Sequence, residues 1–259
     1  YRRIRNTLRI LLGNLHGFDV SADAVEPEEM TLVDRWILER LHEVVSECRR
    51  AYEAYEFRRV FTVINQFCAH DLSAIYIDLT KDRLYCDARE SPRRLGSQTA
   101  MNAVVEALAK LLAPILAYTA EEAWEHSGRE GSVHEQDFPV SDERFAGREA
   151  TGEVDQLLEL RGIIQTSIET QVQAKAFNKN NEAAVELTLP AGHALRSQLE
   201  DRDFATEFFI ISDLKLVEGP EVSATARKTE YLMCPRCRRY EPLEEESGLC
   251  ARCGEVLRG

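Results

Sequence analysis

Along the first half of the chain, apolar residues return at helical spacing. Ile4, Leu8, Leu11, Leu12 and Leu15 form one stripe with the arginines mostly off it. Gly13 lies inside this stretch, and Gly17 marks its stop. A second stripe runs through Ile37, Leu41, Val44, Val45, Cys48, Tyr52 and Tyr55, with Thr31 or Asp34 placed to cap its start. A third contains Phe57, Val60, Phe61, Ile64, Phe67, Cys68, Leu72, Ile75 and Leu79. A fourth runs from Val104 through Val105, Leu108, Leu111, Leu112 and Ile115, then Thr119 and Ala123 to Trp124. Pro114 is expected to kink it, because proline lacks an amide donor. Four long amphipathic helices with short joints predict a helical bundle over residues 1–126.

Residues 127–152 interrupt this text with glycines, a proline and many charges, and read as a linker. Glu153 to Ala176 returns to helix, and Asn178–Asn181 is a turn. Ala184 to Leu189 alternates, with Val185, Leu187 and Leu189 facing one way and Glu186 and Thr188 the other, as a strand does. Leu195 to Ile211 reads as one helix, and Leu214–Val217 and Val222–Leu232 as strands. The expected organisation is therefore mainly α: a bundle, a small α/β junction domain over 153–230, and a cysteine-bearing module over 231–259.

Composition narrows the class. The 259 residues carry a formal charge of −13, with 44% hydrophobic and 30% charged residues, which excludes wholesale disorder. No apolar run approaches the ~18–20 residues of a membrane span. No secretory signal opens the chain, so a cytoplasmic protein is expected; the first residue is Tyr1, not Met, which suggests a piece of a longer protein. The acidic balance argues against coating nucleic acid by bulk attraction. Two basic patches stand out locally. Tyr1 to Phe18 holds four arginines and no acid, and Arg227 to Arg239 holds five basic residues against Glu230. A solvated helix face is the plainer explanation of either.

The sharpest chemical signal is Cys234-Pro-Arg-Cys237 followed by Cys250-Ala-Arg-Cys253. Two residues between cysteines let one tight turn aim both sulfurs at one point, and two such turns supply the four thiolates of a closed, structural Zn²⁺ site. So short a terminal module cannot bury a core, and metal would supply its folding free energy. A redox pair or rubredoxin-type iron are the alternatives. Arg236, Arg238 and Arg239 flank the turns and offer planar forks to phosphate or flat faces to unstacked bases, unless they merely solubilise the module.

Catalytic signatures are missing: there is no GxGxxG, GxxxxGK[ST] or HExxH. His70-Asp71 reads as a buried hydrogen-bonded pair and His42-Glu43 as surface. Intrahelical ion pairs account for Asp78, Lys81, Asp82 and Arg83, though Lys81 and Arg83 could also face a phosphate.

Several of these strings have a family likeness. Tyr1 through Leu15 resembles the first helix of the anticodon-binding bundle of class I aminoacyl-tRNA synthetases for branched aliphatic amino acids, and Leu32–Leu38 continues the match. Phe67–Cys86 is similar to the isoleucyl branch in particular, and Ala113–Trp124 fits the same bundle. The paired Cys-x-x-Cys resembles the C-terminal zinc module of bacterial-type isoleucyl-tRNA synthetases. The likeness covers residues 1–126 strongly, 153–217 loosely and 231–257 by motif.

What the resemblance implies is a class I anticodon-binding helical bundle, then the α/β unit and a four-cysteine zinc knuckle holding one structural Zn²⁺ through Cys234, Cys237, Cys250 and Cys253. It implies recognition of the anticodon stem-loop of tRNA(Ile). Family members ligate isoleucine to tRNA with ATP through His-Ile-Gly-His-like and Lys-Met-Ser-Lys-Ser-like signatures. Neither occurs here, so no catalytic residue is expected and ATP belongs to an N-terminal catalytic domain this chain lacks. Arg2, Arg3, Arg5 and Asn6, with Lys81 and Arg83, are expected on the stem, where phosphate contacts position RNA without reading it. Arg236 and Arg238 are expected at unstacked anticodon bases. The family often has Trp after the second cysteine; here Arg238 stands there, and guanidinium stacking can substitute. The expected partners are the stem-loop and the protein's own catalytic domain, with no membrane, in a monomer. The rival from another class is a non-catalytic zinc scaffold or protein-interaction module. A repair protein with a terminal zinc ribbon would need a catalytic amine or carboxylate near Tyr1-Arg2-Arg3, which supplies none.

Overall fold

The computed structural model describes residues 1–258. They fall into two compact units, Tyr1–Leu84 with Ala88–Val154, and Tyr85–Asp87 with Asp155 onward. Among the described residues no helix is long and apolar enough to cross a membrane.

The first unit is helical. Helix α1 (Arg2–Asn14) buries Ile4, Leu8 and Leu11, as its stripe predicts. Helix α2 (Leu32–Glu53) buries Trp36, Ile37, Leu41, Val44, Val45 and Cys48. Thr31 occupies the N-cap position, but its hydroxyl donates to Asp34 Oδ2 at 2.6 Å and accepts no helix amide.

The third stripe is not one regular helix. Helix α3 (Phe57–Gln66) passes into a π-helical stretch, Phe67–Tyr76, and then into α4 (Ile77–Cys86). Buried side chains recur in pairs every four residues: Phe67 and Cys68, Asp71 and Leu72, Ile75 and Tyr76, Leu79 and Thr80. An α-helix rotates such a series off its face, and wider π turns hold it there. Phe57 and Phe61, expected inside, are 48% and 38% exposed.

The fourth stripe is two helices, α5 (Pro92–Leu112) and α6 (Ala117–His126). The expected kink at Pro114 is a break: the Leu112 carbonyl accepts from both Ile115 N and Leu116 N in a tightened final turn. Residues 127–152, expected as a linker, lie within the first unit and bury Val133 and Phe145.

Helix α7 (Glu149–Gln173) begins in this segment, and its Leu157, Leu160, Ile164 and Ile168 are buried. The second unit then forms a three-stranded sheet of β1 (Ala183–Leu189), β2 (Asp213–Glu218) and β3 (Ser223–Lys228) in the order β2-β1-β3. Strand β1 runs parallel to β2 and antiparallel to β3, with Val185 opposite Leu214 and Ala226. Its alternation holds: Val185, Leu187 and Leu189 are buried, while Glu186 is exposed. The helix expected over Leu195–Ile211 is two pieces, a single turn at Arg196–Leu199 and α8 (Arg202–Phe209). Asp201 separates them because its carboxylate caps α8, accepting from Asp203 N and Phe204 N at 3.0 and 3.1 Å. The terminal module has a two-stranded ribbon, β4 (Leu232–Met233) with β5 (Tyr240–Glu241), and helix α9 (Ala251–Arg258).

Candidate metal centre and nucleic-acid interface

The first cysteine turn is closed by backbone bonds. Arg238 N donates to Cys234 O, and Cys234 N to Arg239 O, both at 2.8 Å. Arg238 completes the reversal in the left-handed region, at φ +61°. The second pair sits where a bridge between Leu243 and Cys250 leads into α9, and Gly254 N donates to Cys250 O at 2.9 Å. These local turns bring the sulfurs of Cys234, Cys237, Cys250 and Cys253 within 4.8 Å of one another. Cys234, Cys250 and Cys253 are buried, with Leu243 and Leu249 packed against them.

The geometry fits a tetrahedral ion. Four sulfurs ~2.3 Å from a common centre stand roughly 3.8 Å apart. The Sγ atoms of Cys237 and Cys250 are 3.7 Å apart. Around Cys234, burial pushes the thiol up, but backbone N–H groups of Cys250, Cys237 and Arg236 outweigh it and bring the pKa down to about 6. Burial raises Cys237 and Cys250, the latter strongly. Such thiols are held deprotonated together when a cation sits among them. The four cysteines can therefore hold one metal ion, through a closed set of sulfurs that leaves no open position for substrate.

The module is fixed to the α/β part of its own unit by charge. Arg202 donates to Asp213 Oδ1 and Glu241 Oε2 at 3.1 and 3.0 Å, and its guanidinium lies over the Tyr231 ring. Arg239 donates to Thr206 Oγ1 at 2.7 Å and pairs with Glu241 at 3.2 Å.

The expected RNA-contact residues have different fates. Arg2, Arg3 and Asn6 are exposed on α1. Arg5 is exposed but held in a fork on Glu122, at 2.6 and 2.7 Å. Arg5 and Asn6 line an open groove of about 1250 Å³ along α1, with Arg9, His16, His126 and Arg129 also on its walls. Lys81 is exposed and pairs with Asp78 at 2.6 Å, as intrahelical pairing predicts.

Arg83 is a correction. It is 4% exposed, and its Nη1 donates to Thr31 Oγ1 at 2.9 Å and lies 3.3 Å from Asp34 Oδ2. Tyr76 Oη and Ser97 Oγ donate to the other oxygen of the same carboxylate, at 2.7 and 2.8 Å. A guanidinium committed to a buried carboxylate presents nothing to a phosphate. Arg236 is engaged too: its Nη1 donates to Cys86 O at 2.6 Å and to Cys253 Sγ at 3.3 Å. Arg238 is exposed.

His70-Asp71 is hydrogen-bonded at 3.1 Å, but only Asp71 is buried; the His70 side chain is 74% exposed. The other oxygen of Asp71 pairs with Arg40 at 3.2 Å. His42 is half-buried, its Nδ1 2.7 Å from the Asp142 carbonyl. Two groups beside the cysteines escape a reading of the sequence. Arg252 pairs with Asp87 at 3.2 Å and hydrogen-bonds the Cys237 sulfur. Arg252 stands inside the second Cys-x-x-Cys, a local signal; Asp87 carries none.

Comparison with known proteins shows the family of the chain. Residues 34–187 match the family model described as the anticodon-binding domain of tRNA ligase. Across its full length the chain is 35% identical to the isoleucine–tRNA ligase of Thermotoga petrophila and 34% identical to that of Thermotoga maritima. Over 99% of its length it is 37% identical to the enzyme of Symbiobacterium thermophilum. The chain spans about 30% of the length of these curated relatives. With more than half of its residues under the family model, the chain belongs to the anticodon-binding domain family of tRNA ligases.

Proposed function

We propose that this chain recognises the anticodon stem-loop of tRNA(Ile) as part of an isoleucine–tRNA ligase, whose catalytic domain, elsewhere in the longer protein, uses ATP to join isoleucine to the tRNA. The observation that carries this is the match to the anticodon-binding family model over residues 34–187, together with whole-length similarity to isoleucine–tRNA ligases. In this reading the protein is a cytoplasmic monomer and the chain has no catalytic residue of its own.

Exposed Arg2 and Arg3, with Asn6, would contact stem phosphates, and Lys81 would join them on leaving Asp78. These contacts are sequence-independent and set the register of the RNA. Arg5 would join them only by leaving Glu122. Zn²⁺, held by Cys234, Cys237, Cys250 and Cys253, would supply the folding free energy of the terminal module. Four sulfurs favour it over oxygen-seeking cations. The module in turn presents Arg238, a charged planar group, to an unstacked base.

The test is a titration of the chain with a tRNA(Ile) transcript at two salt concentrations, repeated with the anticodon changed. Phosphate contacts give affinity that falls steeply with salt, and base reading gives a loss on anticodon change. No binding at low salt would favour a non-catalytic zinc scaffold or protein-interaction module. Binding indifferent to the anticodon would remove the specificity claim alone.

A further inference from the structure

Cys86 and Asp87 are far in sequence from the terminal cysteines, yet two arginines of the metal turns reach them. Arg236 donates through Nη1 to both the Cys86 carbonyl and the Cys253 sulfur. Arg252 pairs with the Asp87 carboxylate, whose side chain is 5% exposed, and hydrogen-bonds the Cys237 sulfur. Each guanidinium thus spans one sulfur and one residue of the same turn. The two sulfurs belong to the second positions of the two Cys-x-x-Cys pairs.

Charge explains why both bridges are arginines. A divalent ion with four thiolates carries a net charge of −2 in a site whose sulfurs are largely buried, and two guanidinium groups offset it. N–H donors to sulfur also fix the direction of the lone pairs, as outer partners of metal ligands do. We propose that Arg236 and Arg252 are positioning residues of the metal site, which hold the sulfurs of Cys253 and Cys237 in ligating geometry and clasp the Cys86–Asp87 turn to the loaded knuckle. The clasp rests on reading the four cysteines as a metal site, and it assigns Arg236 to the metal rather than to a nucleotide.

The test uses the full chain loaded with Co²⁺, whose sulfur-to-metal charge-transfer absorption reports the thiolates directly. The wild-type chain should take up one ion with the spectrum of four sulfurs. Arg236→Ala and Arg252→Ala should each lose metal to a competing chelator roughly 10–100-fold more readily, the range for outer partners of metal ligands. Their charge-transfer band should move to lower energy, because a sulfur that loses an N–H donor gives up its electrons more easily. Arg236→Lys, which keeps the charge, should restore part of the loss. Removing the ion from the wild-type chain should speed amide exchange at Cys86 and Asp87, a result that needs no variant to fold. If the wild-type chain takes up no ion, the metal reading fails and the clasp with it. If it takes up the ion while both alanine variants keep wild-type affinity and band position, or amide exchange at the turn ignores the metal, the clasp alone is overturned.

Discussion

Two arginines illustrate how one residue type takes opposite roles. Arg238 is exposed and holds φ +61°, where a side chain costs about 1–2 kcal/mol over glycine. Arg238→Gly relieves that strain and enlarges the unfolded ensemble by only about 0.5–1 kcal/mol, so the relief outweighs the loss. The expected outcome is a urea midpoint at or slightly above wild type with weakened tRNA binding. Arg238→Lys keeps the charge and loses the planar face, so a defect shared by both variants assigns the contact to stacking rather than charge. Arg83 behaves otherwise. Arg83→Ala leaves the Asp34 carboxylate, 0% exposed, without its cation, and removing one partner of a buried pair costs about 3–5 kcal/mol. Urea unfolding should show that loss, whereas the salt dependence of tRNA binding in the folded fraction should be that of wild type. A changed salt slope would return Arg83 to the phosphate contacts.

Elements here are held by partners that local pattern does not reveal. Helix α7 starts with its first amides pointed at Glu39 of α2. The two carboxylate oxygens accept from Ala150 N, Thr151 N and Thr151 Oγ1 at 3.0, 2.7 and 2.7 Å. A buried anion at a helix N-terminus satisfies free donors and meets the positive end of the helix dipole. Glu39→Ala should cost about 3 kcal/mol, the upper range for hydrogen bonds to a charged group, and fray the start of α7 in amide exchange. Glu39→Gln, which leaves the oxygen acceptor but not the charge, should recover part of it. A reader of the sequence finds the α1 and α2 stripes and the β1 alternation, because their periods lie within a dozen residues. The Glu39 contact lies 111 and 112 residues away in sequence, so residues 127–152 read as a linker although they are anchored. The π-helical stretch is hidden for a subtler reason. Its pairs at every fourth residue look like an ordinary stripe, and only the wider turn that keeps them buried sets it apart. The four-cysteine cluster, which could hold a metal ion, was legible because spacing alone announces it. Its outer arginine–turn contacts were not, since Arg252 and Asp87 are 165 residues apart.

At the scale of the whole molecule, the seven cysteines divide into chemically distinct groups, which makes metal state countable. Cys48 and Cys68 are 0% exposed, and burial pushes both thiols up to about 12. At pH 8 only roughly one molecule in ten thousand carries a thiolate there, and the thiolate is the nucleophile. Cys86 is also buried. The remaining four are Cys234, Cys237, Cys250 and Cys253. A bound metal ties up their lone pairs, so a thiol reagent should find almost nothing to modify quickly in the loaded chain at pH 8. Adding a chelator should release about four fast-reacting thiols, one for each ligand. Adding denaturant should bring the total to seven. The order of these steps is the informative part. If the bundle core and the metal module depended on each other for folding, chelation would expose Cys48 and Cys68 together with the ligands and the count would jump directly to its maximum. A plateau at four places the stability supplied by the metal in the terminal module, and leaves the helical bundle standing on its own buried core. Four fast thiols without chelator, unchanged by added Zn²⁺, would mean that the cysteines do not bind the ion, and the closed sulfur site would have to be abandoned.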